Sequence, residues 1–351
     1  MKKVVIYNMS LARGGAERVT VYLADYLVQN GVACDIVTEC VYGYEYDVPK
    51  GVQRKSLTSG KKFVAKLLEL RKILKEANAD VLLIMAVPNC LYASLASIGL
   101  KIKVVVSERN DPTHFLGKTV VKHISRFLMK FADGFVFQTG DAKAFYAKKL
   151  KGRGEVIPNP LFAEQLPAPY EGQRKKQFVN VGRLHKQKNQ TMLIEAFARI
   201  ADKYPEFNLV IYGEGGLRGE LEQFVAEKNL KARVSLPGNI SQVQDQIKDS
   251  YGFVLSSDFE GMPNALIEAM AVGLPCISTD CPCGGPNSMI QSRENGILVP
   301  VGDSAKMAEA MAELIEKEDL ADKLGKNATE IRKQLDSELI GKRWLEYLSG
   351  L

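Results

Sequence analysis

Phe178-Val179-Asn180-Val181-Gly182-Arg183-Leu184-His185-Lys186-Gln187-Lys188-Asn189 passes from a short strand-like run, through a loop rich in cations, into a helical pattern that continues to Lys203. A strand that leads directly into a helix is the building unit of a parallel α/β sheet, because parallel neighbours need a crossover connection. Its position makes the stretch decisive. Just upstream, residues 158–177 hold four prolines (Pro158, Pro160, Pro167 and Pro169) and the polar run Glu171-Gly172-Gln173-Arg174-Lys175-Lys176. These interrupt both strand and helix patterns and mark a domain boundary, after which the alternation begins afresh.

Downstream, strand-like runs at 209–212, 234–236, 252–255 and 275–278 alternate with helical patterns at 217–228, 264–271 and 305–317. Upstream the same rhythm is present: strands at 4–7, 34–38, 81–85, 103–107 and 134–138, and helices at 16–29 and 63–77. In the first helix Val19, Leu23, Tyr26 and Leu27 share one face. Short apolar runs between helices, with few hairpin signals, predict an α/β protein of two successive Rossmann-like doubly wound parallel-sheet domains, 1–165 and 166–335, with a ligand between them.

Composition bounds the function. The chain of 351 residues is long enough for two cores, with 46% hydrophobic and 25% charged residues, as in a globular protein. No apolar run reaches the roughly 18 residues that would span a bilayer. Met1-Lys2-Lys3-Val4-Val5-Ile6-Tyr7-Asn8 leads into Gly14-Gly15 and a helix rather than a cleavage site, so it reads as a buried strand of a cytoplasmic protein. Six cysteines without paired Cys-x-x-Cys elements, and only three histidines, predict no zinc site. Residues 1–170 carry 25 Lys and Arg against 15 Asp and Glu, and the remainder 22 against 26, which suggests two specialised halves.

In such sheets ligands lie beyond the carboxyl ends of the strands. Four loops there carry chemistry. Ser10–Arg18 contains Gly14-Gly15 before a helix start, where backbone can approach a phosphate, although it matches neither a dinucleotide fingerprint nor a Walker loop. Arg183 and Lys188 sit in the second loop, the first suited to a bidentate grip on phosphate oxygens and the second to acting as a point charge. Tyr212-Gly213-Glu214-Gly215-Gly216 is either a phosphate approach or simply a tight turn. The most specific loop is Ser256-Ser257-Asp258-Phe259-Glu260-Gly261-Met262-Pro263-Asn264-Ala265-Leu266-Ile267-Glu268, where two carboxylates border one helix start. Free N–H groups there suit phosphate or sugar oxygens, and carboxylates accept from sugar and ribose hydroxyls. For Glu268 alone, ordinary helix-terminus chemistry explains the residue as well.

Glu260 and Glu268, with seven residues between them, resemble the Glu-x7-Glu motif of retaining glycosyltransferase family 4, and Gly273-Leu274-Pro275 follows as in that family. Gly14-Gly15-Ala16-Glu17-Arg18, Val156-Ile157-Pro158-Asn159-Pro160, Gly182-Arg183-Leu184 with Lys188-Asn189, and Asn295-Gly296-Ile297-Leu298-Val299-Pro300 also resemble it, in order along nearly the whole chain. The resemblance implies a GT-B fold, an N-terminal acceptor domain and a C-terminal domain for a nucleotide-diphosphate sugar, with UDP-sugar preferred by analogy with surface-polysaccharide members. It implies that Arg183 and Lys188 hold the diphosphate, Glu260 the donor sugar and Glu268 the ribose. Gly14, Gly15, Gly213, Met262, Pro263, Asn264, Ala265 and Leu266 would help to bind the donor, with Ile240 near the base. It implies transfer of a hexosyl or N-acetylhexosaminyl group with retention, no metal or other cofactor, and a last helix (336–351) that often crosses back to the first domain, with Trp344 as its anchor. One departure stands out. Members often carry a histidine after the strand at 103–107, whereas this chain reads Ser107-Glu108-Arg109-Asn110-Asp111-Pro112 and has none before His114. Arg109 or Asn110 takes the catalytic place, or Arg109 forms a structural ion pair with Glu108 or Asp111.

On the acceptor side, residues 101–153 hold twelve basic and four acidic residues. Lys118, Lys122, Arg126 and Lys130 recur every fourth position among apolar residues, a basic amphipathic helix for an anionic membrane surface or a glycan or polyprenyl-diphosphate-linked acceptor. A solvated helix face is the simpler account. The expected location is the cytoplasm, peripherally on the inner membrane, with no nucleic-acid partner. The rival readings are a sugar-nucleotide epimerase of the same fold and a nucleotide-sugar-binding protein with impaired catalysis.

Overall fold

The computed structural model describes every residue except 13, 61 and 115–118, so the expectation for Lys118 lies outside the described residues. The chain forms β1 (Lys3–Asn8), α1 (Gly15–Gln29), β2 (Ala33–Thr38), β3 (Gln53–Ser56), α2 (Phe63–Ala77), β4 (Val81–Met85), α3 (Cys90–Ser97), β5 (Lys103–Ser107), α4 (Thr119–Leu128), β6 (Gly134–Phe137), α5 (Gly140–Leu150) and β7 (Glu155–Val156). It continues as β8 (Lys175–Val181), α6 (Gln190–Ala201), β9 (Asn208–Tyr212), α7 (Arg218–Glu227), β10 (Val234–Gly238), α8 (Val243–Ile247), β11 (Ser250–Leu255), α9 (Asn264–Ala271), β12 (Cys276–Thr279), β13 (Ile297–Val299), α10 (Ser304–Glu316), α11 (Glu318–Ala328), α12 (Ile331–Gln334) and α13 (Ser337–Ser349).

Two units result: residues 1–160 with 337–351, and residues 161–336. The first boundary falls five residues before the one read from the sequence, because Leu161 N–H donates to Leu335 O at 2.7 Å and bridges to Asp336. Each unit holds one wholly parallel sheet, ordered β3-β2-β1-β4-β5-β6-β7 in the first and β10-β9-β8-β11-β12-β13 in the second. Each unit is thus a Rossmann-like stack of α/β layers, as the sequence predicts. Strand order reverses between β1 and β4, and again between β8 and β11, which puts a ligand crevice at the carboxyl ends of those strands.

The strands read as near-continuous apolar runs because helices cover both sheet faces. In β8, Phe178 joins the core formed with Phe197, Leu209 and Ile211, while its neighbour Val179 joins the opposite core with Phe253, Leu266 and Met270. Successive residues of a strand point to opposite faces, so a single strand nails together two cores. In the first unit, α1 and α13 pack on one side of the sheet around Val4, Ile6, Leu23 and a fully buried Trp344. Tyr22 Oη donates to Ser337 O, and Tyr26 Oη donates to Glu338 Oε1 at 2.7 Å, fixing the start of α13 on α1.

Candidate active site

The second unit assembles its site at the β8/β11 switch point. The loop after β8 ends in a single 3-10 turn, Lys186–Lys188, and Asn189 then adopts the left-handed conformation (φ 44°) to open α6. Asparagine tolerates that region because its short amide bonds locally. Its Oδ1 accepts from Met192 N–H at 3.2 Å, while Nδ2 donates to Asp258 Oδ1 at 2.7 Å. Asp258 N–H donates to Gln187 O at 2.9 Å, and Ser256 Oγ donates to Lys188 O at 2.8 Å. The β8 and β11 loops are thus stitched into one surface, which explains a cap residue sitting in the middle of a cationic loop.

On that surface Lys188 Nζ lies 2.5 Å from Glu260 Oε1, with side-chain exposures of 16% and 8%. Ser257 Oγ donates to the same carboxylate oxygen at 2.7 Å, and Gln187 Nε2 donates to Phe259 O at 2.9 Å. Two residues 72 apart in sequence therefore form a nearly dry, multiply held pair. Arg183 stays exposed beside it, its carbonyl fixed by Gln190 Nε2 at 2.9 Å. A pocket of about 180 Å³ opens next to Arg183, lined by Gly182, Gly213, Asn239 and Ile240.

Glycines bring these loops together. Gly213 has φ +140°, and a Cβ there would stand 1.9 Å from Gly182 O; one on Gly215 would stand 2.3 Å from Leu184 O. The run after β9 therefore lies flat against the β8 loop, which is more than a tight turn requires. Likewise a Cβ on Gly285 would stand 1.9 Å from Gly261 O, so the segment after β12 backs the Glu260 loop directly.

Met262 and Pro263 lead into α9, where Asn264, Ala265 and Leu266 form the first turn; Pro263 supplies no side-chain cap, and no acidic residue occupies that turn. Leu266 and Ile267 N–H both fold back to Pro263 O, at 3.1 and 3.2 Å. Glu268 lies one turn in, 9% exposed, and accepts from Gln244 Nε2 on α8. A first-turn capping role does not account for it.

In the first unit, Gly14 is the residue before α1 and Gly15 its first residue. Arg109 follows β5 and is buried, with Nη2 donating to Asn159 Oδ1 and Nη1 lying 3.5 Å from Ser107 Oγ. Gln138 Nε2 also donates to Asn159, at 2.7 Å, so the Pro158-Asn159-Pro160 segment ties down the ends of β5 and β6. The alternative ion pairs of Arg109 do not form among the described residues. Glu108 instead accepts from Tyr146 Oη and from Arg109 N–H, both at 3.0 Å, and Asp111 holds Thr113 N–H at 2.8 Å and His114 Nδ1 at 2.7 Å. Burial pushes the Glu108 carboxyl up to about 7 and the Arg109 guanidinium down to about 10. Asn110 is half-buried in the same turn.

The basic stripe on α4 requires a correction. Arg126 turns inward: Nη2 donates to Pro112 O and the guanidinium lies 5.3 Å from the Phe145 ring centroid. Lys122 is half-buried and Lys130 exposed. The outward face is apolar instead, with Val120, Ile124, Phe127 and Phe131 between 40% and 71% exposed. Spacing alone shows that the cations share a face, not which face the sheet covers. No helix among the described residues is long and apolar enough to cross a membrane.

Two parallel-sheet units, the second carrying a lysine-held glutamate at its switch point, define a glycosyltransferase of the GT-B type. The Glycosyltransferase Family 4 model matches residues 13–164, and Glycosyl transferases group 1 matches residues 163–331. The chain is 30% identical over 342 residues to an uncharacterized glycosyltransferase of Methanocaldococcus jannaschii, covering 82% of this chain and 84% of that one. It is 27% identical over 363 residues to the GalNAc-alpha-(1->4)-GalNAc-alpha-(1->3)-diNAcBac-PP-undecaprenol alpha-1,4-N-acetyl-D-galactosaminyltransferase of Campylobacter jejuni, covering 99% of each. Among solved structures, Anabaena HepE in complex with UDP and glucose matches with a TM-score of 0.84 at 18% identity over the whole of both chains. The chain belongs to glycosyltransferase family 4.

Sequence reasoning missed Ser257, Gln187, Gln244 and Gly285. Ser257 stood inside the quoted loop, three residues from Glu260, and was the one within reach of inspection. The others meet their partners only through the fold.

Proposed function

We propose that the enzyme transfers a hexosyl or N-acetylhexosaminyl group, with retention at the anomeric carbon, from a UDP-sugar to a glycan or polyprenyl-diphosphate-linked oligosaccharide. The observation that carries this is the Lys188–Glu260–Ser257 cluster at a sheet switch point, beside the exposed Arg183 and a pocket of nucleotide-base dimensions. As the sugar–phosphate bond breaks, negative charge grows on the leaving diphosphate. Arg183 and Lys188 meet that charge with donors already in place, and the nearly buried setting of Lys188 strengthens its share. Glu260 accepts hydrogen bonds from donor-sugar hydroxyls, and Glu268 from the ribose. Asp258 accepts from Asn189 and Glu260 from Lys188, which supports leaving the diphosphate charge to the two basic side chains. Gly14, Gly15, Arg109 and Asn110 belong to the first unit, to which the reading gives the acceptor. The Campylobacter relative's undecaprenol-diphosphate acceptor and the UDP bound to HepE support the choice of substrates.

A panel of UDP- and GDP-sugars with lipid-linked and free oligosaccharide acceptors tests this, with the product anomer read by NMR. An α-linked product from an α-linked donor is expected. An inverted product would sink retention, and donor binding without transfer would support an impaired protein.

The apolar ridge of α4 supports peripheral binding to the cytoplasmic membrane face, with Lys122 and Lys130 beside it. Replacing Phe127 and Phe131 together by Ser is expected to lower co-sedimentation with phosphatidylglycerol vesicles about tenfold, since each ring buries apolar surface in the interface. Vesicle binding unchanged by this pair would remove the membrane from the proposal.

A further inference from the structure

The segment between β2 and β3 presents two aromatic rings to solvent on a braced support. Tyr42 and Tyr44 are 45% and 65% exposed, and their rings stack at 5.9 Å between centroids with 30° between planes. They are two residues apart across a bend at Gly43-Tyr44, and the stacking itself puts both rings on one side. Both feet of the segment are tied to the loop after β1: Cys40 N–H donates to Met9 O and Tyr46 N–H to Leu11 O, each at 2.9 Å. Inside the base, Arg54 pairs with Glu45 at 2.6 Å and donates to Cys40 O at 3.2 Å, with side-chain exposures of 16% and 10% for Arg54 and Glu45. This exposed aromatic pair is thus held by a nearly buried ion pair, on a segment hydrogen-bonded to the loop that leads from β1 to Gly14-Gly15.

We propose that Tyr42 and Tyr44 form a stacking platform for a pyranose ring of the acceptor glycan, an inference that rests on the reading that the first unit receives the acceptor. An aromatic face is electron-rich, and the C–H groups on one face of a pyranose are weakly positive and apolar, so the two surfaces pack face to face. The phenol groups can donate to and accept from ring hydroxyls. The support adds rigidity, which lowers the entropy lost on binding. Charge separates this occupant from others. Of the charged residues of 39–47, Glu39 is paired with Lys66 and Glu45 with Arg54, both nearly buried, and Asp47 is the third. The rings therefore stand in a surround of small net negative charge, which suits a neutral sugar better than an anionic lipid surface or a nucleoside diphosphate. The apolar ridge of α4, with its cations, has the opposite character.

The test uses the full chain and two soluble probes, an α-1,4-linked N-acetylgalactosamine trisaccharide and maltotriose, with saturation-transfer NMR reporting on the sugar ring protons. The expected result is transfer to the ring protons of at least one probe in the wild type and in Tyr42→Phe/Tyr44→Phe, with at least a fivefold loss in Tyr42→Ala/Tyr44→Ala. Equal transfer in the Ala pair, or none to either sugar in the wild type, would overturn the proposal. So would a loss in the Ala pair of phosphatidylglycerol-vesicle binding but not of sugar contact, which would reassign the rings to a membrane. Donor hydrolysis and UDP binding are measured in parallel. Their absence from the wild type faults the transferase reading, whereas their persistence in an Ala pair that still contacts sugar normally faults the platform alone.

Discussion

Lys188→Ala is expected to lower kcat/KM for transfer by about 10²–10³-fold, the loss typical of removing one preorganised group that stabilises transition-state charge. The substitution does two things at once. It removes the cation proposed to meet the diphosphate, and it leaves Glu260, 8% exposed, with Ser257 Oγ at 2.7 Å and Gln187 Nε2 at 3.4 Å as side-chain donors. A buried carboxylate that loses its charged partner costs about 3–5 kcal/mol, so the melting temperature should also fall. Glu260→Ala should reduce transfer to a similar degree with a smaller stability cost, because the Lys188 chain is long enough to swing its ammonium into water. Comparing the two single variants with the double separates these effects: residues acting as one unit give a double variant scarcely worse than either single. Transfer within tenfold of wild type in both single variants would sink the assignment.

Gly285→Ala should be among the most damaging single methyl groups in the second unit. The added carbon would fall 1.9 Å from Gly261 O, an atom of backbone with no side-chain freedom to yield. The Glu260 loop must move, and a displacement on the order of 1 Å at a reacting centre costs about 100-fold in rate. Overpacking of this kind also costs about 1–3 kcal/mol of stability. Gly216→Ala is the control, since a Cβ there meets nothing within 4 Å. Steady-state kinetics and thermal melts on the two variants decide the matter. If Gly285→Ala behaves like the control, the backing contact does not position the loop.

The sequence makes the repeated strand–helix rhythm legible because strands buried on both faces are apolar along their length. Where that condition fails, so does the reading. β3 is Gln53-Arg54-Lys55-Ser56, a polar strand at the sheet edge, and nothing in its composition announces pairing. α11 is hard to see in the sequence because only Leu320, Ala321, Leu324 and Ala328 interrupt its charges and small residues. The loops at the β8/β11 switch point were legible because strand ends and helix starts are local features. Their closure was not: Lys188 meets Glu260, Arg109 meets Asn159 and Gly285 meets Gly261 only after the sheet has ordered the strands. The inward turn of Arg126 was hidden for a related reason, since periodicity defines a face but packing selects which of its side chains is covered.

The return of α13 to the first unit has a consequence for how the protein is made. Residues 337–351 follow the whole second unit in the order of synthesis, yet they cover α1 around Trp344 and meet Tyr22 and Tyr26. During translation the first unit must therefore wait, with part of its apolar surface uncovered, while 176 intervening residues emerge. At about 5–20 residues per second that is on the order of ten seconds or more of exposure. The nascent chain is at its most aggregation-prone then, and loss of the last helix should harm yield in cells more than its size suggests.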